Sequence, residues 1–230
     1  MDFNSIILYI SIAAIPLVLA ITLHEAAHAL AASKLGDQTA RMLGRVSLNP
    51  AKHIDPVGTI LFPALTIAIG SMIPGGRFLI FGWAKPVPVN FNQLNHRRMG
   101  TVLVAFAGPF ANLLMACAWA AVCKLVIMFG ASSDQSTTGV ITKFLFLSSQ
   151  YGVYINAILF VLNLLPLPPL DGGRILTALL PASIARPLEL IEPYGIWILL
   201  ALIMLGVLGS IIMPIVHMLI GHFYAMFYIS

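Results

Sequence analysis

A chain of 230 residues that is 60 % hydrophobic and 9 % charged lacks the surface of a water-soluble domain, in which about 25 % of residues are charged. Its mean hydropathy of +0.97 makes lipid the solvent. That excludes a disordered chain, a disulfide scaffold built on two cysteines and a nucleic-acid-binding surface. The formal charge of +4 comes from Lys and Arg confined to a few loops, the pattern of a membrane protein with one basic side.

The first apolar run, Ile6 to Ser33, is closed by Lys34 and Gly36. With no Lys or Arg before it, it reads as a retained first span rather than a cleaved signal peptide. The stretch Lys34 to Gly100 holds eight of the twelve basic residues. Within it Met42 to Leu48 has strand character, Val57 to Ile73 is a short apolar run between Pro56 and Pro74, and Phe78 to Asn90 mixes aromatics with Pro86 and Pro88. Thr101 to Phe129 is long enough to span, and the polar turn Ala131 to Gly139 follows it. A further span begins between Val140 and Val153 and ends at Leu165, where Pro166, Pro168 and Pro169 forbid helix. Tyr194 to Ile229, with Gly206, Gly209 and Pro214 near its middle, is one bent helix or two short ones. Cys117 and Cys123 lie six apart in one apolar run and cannot pair.

The fold expected is an all-α polytopic membrane protein, a bundle of about four to six transmembrane helices. A re-entrant, strand-containing segment follows the first helix over residues 33–100, and 194–229 forms a C-terminal helix or hairpin. Residues 1–230 make a single membrane-embedded domain.

Chemistry concentrates in two places. His24-Glu25-Ala26-Ala27-His28 lies in the first span. On a helix, positions i and i+4 share a face, so both imidazoles can bind one metal while Glu25, one step round, reaches water on that metal. Stray histidines are the bland alternative. Against it stands the cost of burying Glu25 near mid-bilayer, about 2.5–3.5 kcal/mol or more. Tetrahedral zinc needs a third protein ligand and an open position. Asp171 is the leading candidate, since it follows the helix-breaking prolines and precedes Gly172-Gly173, which let backbone approach closely. As an isolated residue it would equally suit a turn or a helix cap.

These motifs, with Gly108-Pro109-Phe-Ala-Asn112 and Asn163-x-x-Pro166-x-Pro168-x-Leu170-Asp171-Gly172, resemble the site-2 protease family of intramembrane zinc metalloproteases over roughly residues 6–180. The resemblance implies one Zn²⁺ held by His24, His28 and Asp171, with Glu25 as catalytic acid/base. It also implies substrate-holding roles for Asn163, Pro166 and Pro168. The stretch Gly44 to Pro56 resembles the strand-like segment of short bacterial members, and the chain has no room for a PDZ or CBS module. Asn112 either donates to an oxyanion or bridges helices through its amide, the packing role being preferred. His53 and Asp55 read as loop structure, and His96, His217 and His222 as interfacial or packing residues.

Topology supplies an independent expectation. Both histidines lie near the C-terminal end of the first span and Asp171 lies beyond the end of the later one, so a shared metal requires those helices to run the same way. Val57 to Ile73 is therefore expected to dip in and return, or to pair with Phe78 to Trp83. Ten basic residues then share one side against Lys124 and Lys143 on the other. The reading is a multi-pass protein of the cell's inner (cytoplasmic) membrane, its site in the cytoplasmic half, its partners lipid and a transmembrane protein substrate, with no nucleic acid. A zinc transporter would need more polar residues along a path through the spans. A di-iron oxygenase would need more histidines at ligand spacing than this chain has.

Overall fold

A computed structural model describes residues 3–61, 84–130 and 137–229. Among the described residues five helices are long and apolar enough to cross a membrane: Ile7–Lys34, Arg97–Gly130, Thr137–Asn163, Ala182–Met204 and Val207–Met226. The first belongs to helix α1, Phe3–Lys34. A single-turn helix α2, Thr39–Met42, follows, and α3 (Arg97–Gly130) and α4 (Thr137–Asn163) complete the central trio. Asp171–Leu179 is α5, Ala182–Ile191 is α6, Gly195–Met204 is α7 and Val207–Met226 is α8. The last apolar stretch is thus two helices rather than one bent one. Gly206 adopts φ +73° between them, a conformation that costs a glycine little.

Helix α3 is central and touches α1, α4, α5 and α8. Its buried face reads Gly100, Val104, Ala105, Gly108, Pro109, Asn112, Ala116, Ala120 and Cys123. Small residues three to five apart let neighbouring backbones close in, which drives helix association in lipid where apolar side chains alone do not. On α4 the matching face carries Ser148, Ser149, Gly152, Val153, Asn156 and Ala157. Large apolar residues such as Tyr9, Ile10, Phe129 and Trp197 point outward, as a lipid-facing surface requires.

Side-chain pairs set the directions. Val104 sits beside His28, and Asn112 beside Ala20, so α1 and α3 are antiparallel. Asn112 also meets Asn156, and the chain runs on from there to Asp171 at the histidine end. Helices α1 and α4 therefore run the same way, as a shared site demands. At the far end of α3, Lys124 donates to the Tyr228 carbonyl. That contact lies 20 residues, about 30 Å, along the helix from Val104.

The strand expected over Met42 to Leu48 does not form, and among the described residues there is no strand. Met42 closes α2, Gly44 turns the chain at φ +64°, and the Gly44 and Arg45 amides bond back to Arg41 and Ala40. Local turns thus use the donors a ladder would need. Most of Val57 to Ile73, and all of Phe78 to Trp83, lie outside the described residues. What is described is Pro56–Leu61, a π-helical turn, whose first amides at Val57 and Gly58 donate to Asp55.

Residues 84–90 run extended, with Pro86 and Pro88 fixing φ at alternate positions. Every polar tie of this strip is specific. Lys85 N–H donates to the His53 carbonyl, and Arg45 donates to the Lys85 carbonyl at 2.7 Å. The Asn90 amide donates to Asp37 at 2.7 Å. Two acidic residues link the α1 region to this strip: Asp37, just past the helix end, and Glu25, inside it, which accepts from the Val87 amide.

Candidate active site

His24 and His28 stand one turn apart on α1, and α3 passes directly against them. A methyl group added at Gly108 would collide with ring atoms of both imidazoles, so this glycine is what lets α3 come so near. Asp171 is the first residue of α5. Gly172 and Gly173 pack on the backbone of Leu164 to Pro168 with no room for a side chain, which folds the proline-rich turn back and delivers the carboxylate.

The three candidate ligand atoms form a near-equilateral triangle. His28 Nε2 lies 3.0 Å from His24 Nε2, and Asp171 Oδ2 lies 3.3 Å from each. An ion with tetrahedral bonds of about 2.0–2.2 Å spaces its ligand atoms about 3.3–3.6 Å apart. The two edges to Asp171 match the lower end of that range, and the edge between the imidazoles is about 0.3 Å shorter.

Protons make the case stronger. His28 Nδ1 is 2.7 Å from the Val104 carbonyl, which can only accept, so the ring proton sits on Nδ1 and Nε2 is a bare lone pair. His24 Nδ1 is 2.7 Å from Asn112 Oδ1 and its Nε2 is bare in the same way. Asp171 Oδ2 is buried without a hydrogen-bond donor. Three acceptors thus converge with no proton between them, an arrangement that repels unless a cation fills it. Among the described residues His24, His28 and Asp171 form the one cluster of possible metal ligands.

Glu25 is placed differently. Its Oε2 accepts the Val87 amide at 2.8 Å, so the extended strip 84–90 crosses beside the metal-ligand trio. Because Pro86 and Pro88 carry no N–H, Val87 supplies the only amide of those three residues, and it is spent on this carboxylate.

Other sequence candidates fall into two groups. Asn112 is fully buried; its amide nitrogen donates to Ala20 and Asn156 while its oxygen faces His24. Asn163 donates to its own helix at the Leu159 carbonyl, 2.9 Å away, and Pro166 and Pro168 lie in the turn leading to Asp171. His53 is buried, with Nε2 2.8 Å from the Ser47 carbonyl, a loop fastener rather than a member of the trio. His222 bonds within its own helix to Met218. Sequence reasoning missed Val87 and Asn156. The second had a signal, an amide side chain midway along an apolar span.

The model of peptidase family M50 matches residues 12–207. This chain belongs to peptidase family M50. That is the site-2 protease family of intramembrane zinc metalloproteases. Two relatives bear the name "Putative zinc metalloprotease". YwhC of Bacillus subtilis is 36 % identical over 203 residues, covering 88 % of this M50 chain and 84 % of the relative. Rip2 of Mycolicibacterium smegmatis is 28 % identical over 203 residues, covering 86 % of this chain and 69 % of the relative. No solved structure matches.

Proposed function

We propose that this M50 chain hydrolyses peptide bonds within or near the transmembrane helices of other membrane proteins, using one zinc ion per chain held by His24, His28 and Asp171. The observation that carries the reading is the triangle of three bare acceptor atoms 3.0–3.3 Å apart. Zinc bound there supplies an acidified water and a Lewis acid for the scissile carbonyl. Glu25, one residue from His24 on the same helix, is the group that would accept the proton of the hydrolytic water and return it to the leaving amine. The Val87 amide keeps the carboxylate from swinging away.

A substrate helix shields its own peptide bonds, so it must unwind locally, and its freed backbone groups need partners that lipid does not supply. We assign that holding role to Asn163 and to the turn containing Pro166 and Pro168, because this turn carries Asp171 and so borders the metal. In Asn163→Ala, cleavage of a model transmembrane substrate should fall with metal content unchanged. Cleavage at the wild-type rate would remove the assignment.

The site belongs to the cytoplasmic half of an inner membrane in this reading. Lys34, Arg41, Arg45, Lys52, Lys85, Arg97, Arg98, Arg174 and Arg186 are on the segments at the histidine end, and Lys124 and Lys143 are near the other. The positive-inside rule supports that orientation.

The deciding experiment is Glu25→Gln in purified protein reconstituted with a transmembrane substrate. One zinc per chain should remain bound while cleavage falls by about 10²–10⁴-fold. Cleavage by the variant at the wild-type rate, or a wild-type protein that takes up no zinc, would overturn the reading.

A further inference from the structure

Both imidazoles owe their bare Nε2 to a partner at Nδ1, but the two partners differ in kind. His28 bonds to a backbone carbonyl, which cannot turn round. His24 bonds to the side-chain amide of Asn112, which can present either oxygen or nitrogen. Something must hold that amide.

The structure gives a chain of contacts that does so. Asn156 on α4 is fully buried. Its Nδ2 donates to the Gly152 carbonyl of the same helix at 2.9 Å, and since a carbonyl only accepts, Asn156 must turn its oxygen the other way. That oxygen receives Asn112 Nδ2 at 3.0 Å. The Ala20 carbonyl of α1 receives the same nitrogen at a longer 3.3 Å. With both amide hydrogens of Asn112 used, its Oδ1 is left to accept from His24 Nδ1 at 2.7 Å. The polarity thus runs in one direction from Gly152 through Asn156 and Asn112 to His24.

We infer that Asn156 is a positioning residue for the metal centre, fixing the His24 tautomer through Asn112. The inference rests on the proposed metal-binding role of His24. Were the Asn112 amide reversed, its NH₂ would face His24 Nδ1 and drive the ring proton to Nε2. A proton there would point into the triangle and compete with the cation. Asn112 and Asn156 are both fully buried, so solvent does not repair a reversed bond between them, and the choice made at Asn156 is carried to His24.

The test is metal affinity of the full-length protein in detergent, measured with cobalt against a chromophoric chelator and read also from the cobalt absorption bands. Asn156→Leu and Asn156→Ala remove both bonds of the residue. Each should bind cobalt about tenfold more weakly than wild type, with altered absorption bands and helix content retained. Asn156→Asp should restore wild-type affinity, because a protonated carboxyl donates to Gly152 and accepts from Asn112 as the amide does. Packing alone would not separate Asp from Leu and Ala in this way. Wild-type affinity in a folded Leu or Ala variant would overturn the inference, as would an Asp variant as weak as they are. If the Leu variant does not fold, the Ala and Asp pair decides. A wild-type protein that binds no cobalt would instead fail the metal site itself, a separate result.

Discussion

The helical trio and the strip that crosses it hold their functional groups by opposite means. On α1, α3 and α4 the polar atoms are buried, borne by regular helices brought together by small residues, and each histidine is fixed at Nδ1 from a neighbouring helix. On residues 84–90 there is no regular element, and the chain is held by a few bonds between backbone and side chains. The two histidines proposed as metal ligands depend on the first support, and the carboxylate of Glu25 on the second. The difference predicts that metal content and cleavage respond to different substitutions.

The sharpest way to break the first support is Gly108→Ala. The added methyl meets both imidazoles, and since both rings are pinned at Nδ1 neither can yield without losing its bond. Metal affinity should fall by about 10–100-fold, measured by chelator competition, with cleavage lost in proportion at limiting zinc. A variant that binds metal normally would mean that α3 can draw back at little cost.

The second support is broken by Val87→Pro, which deletes the amide that Glu25 accepts. A hydrogen bond to a charged group is worth about 1.5–3 kcal/mol, so cleavage should fall by at least about tenfold with zinc content unchanged. Val87→Ala keeps the amide and should be nearly silent. Equal losses in zinc and activity for the proline variant would erase the distinction between the two supports.

The smallest effect concerns where the strip is tethered. Burial raises the pKa of the Asp37 carboxyl, but the Thr39 hydroxyl and the amides of Thr39 and Asn90 outweigh it and hold the pKa below the ordinary value. A carboxyl lowered in the folded state stabilises fully above its unfolded value of about 3.9, and that contribution fades as pH falls below this toward the folded value. Asp37→Asn should therefore lower thermal stability by about 1–2 kcal/mol at neutral pH and narrow the gap from wild type at pH 3. A gap that persists in acid would assign the effect to geometry rather than charge.

How much of this could be read in advance follows from range. The spans are local properties of composition, and four of the five apolar helices found among the described residues lie largely where long hydrophobic runs predicted them, while Ala182–Met204 begins twelve residues before the run expected from Tyr194. The His24–His28 pair is a local property too, being one helical turn. The parallel course of α1 and α4 followed from asking which directions let Asp171 share a metal. What escaped was decided by contacts between distant segments. Met42 to Leu48 alternates like a strand, yet Gly44 and the turn at α2 consume its amides. Val87 looks like any valine, and its importance lies in a backbone N–H flanked by two prolines. Gly108 and Asn156 were visible as a small and a polar residue in apolar helices, but what each one touches is a matter of tertiary packing.

The unequal anchoring of the two histidines has a practical side. His28 leans on main chain, so a side-chain substitution at Val104 leaves its partner a carbonyl that can only accept. His24 leans on exchangeable side chains. An engineer wishing to retune this centre for another ion has one adjustable ligand, reached through Asn112 and Asn156 without altering any residue that would touch the ion.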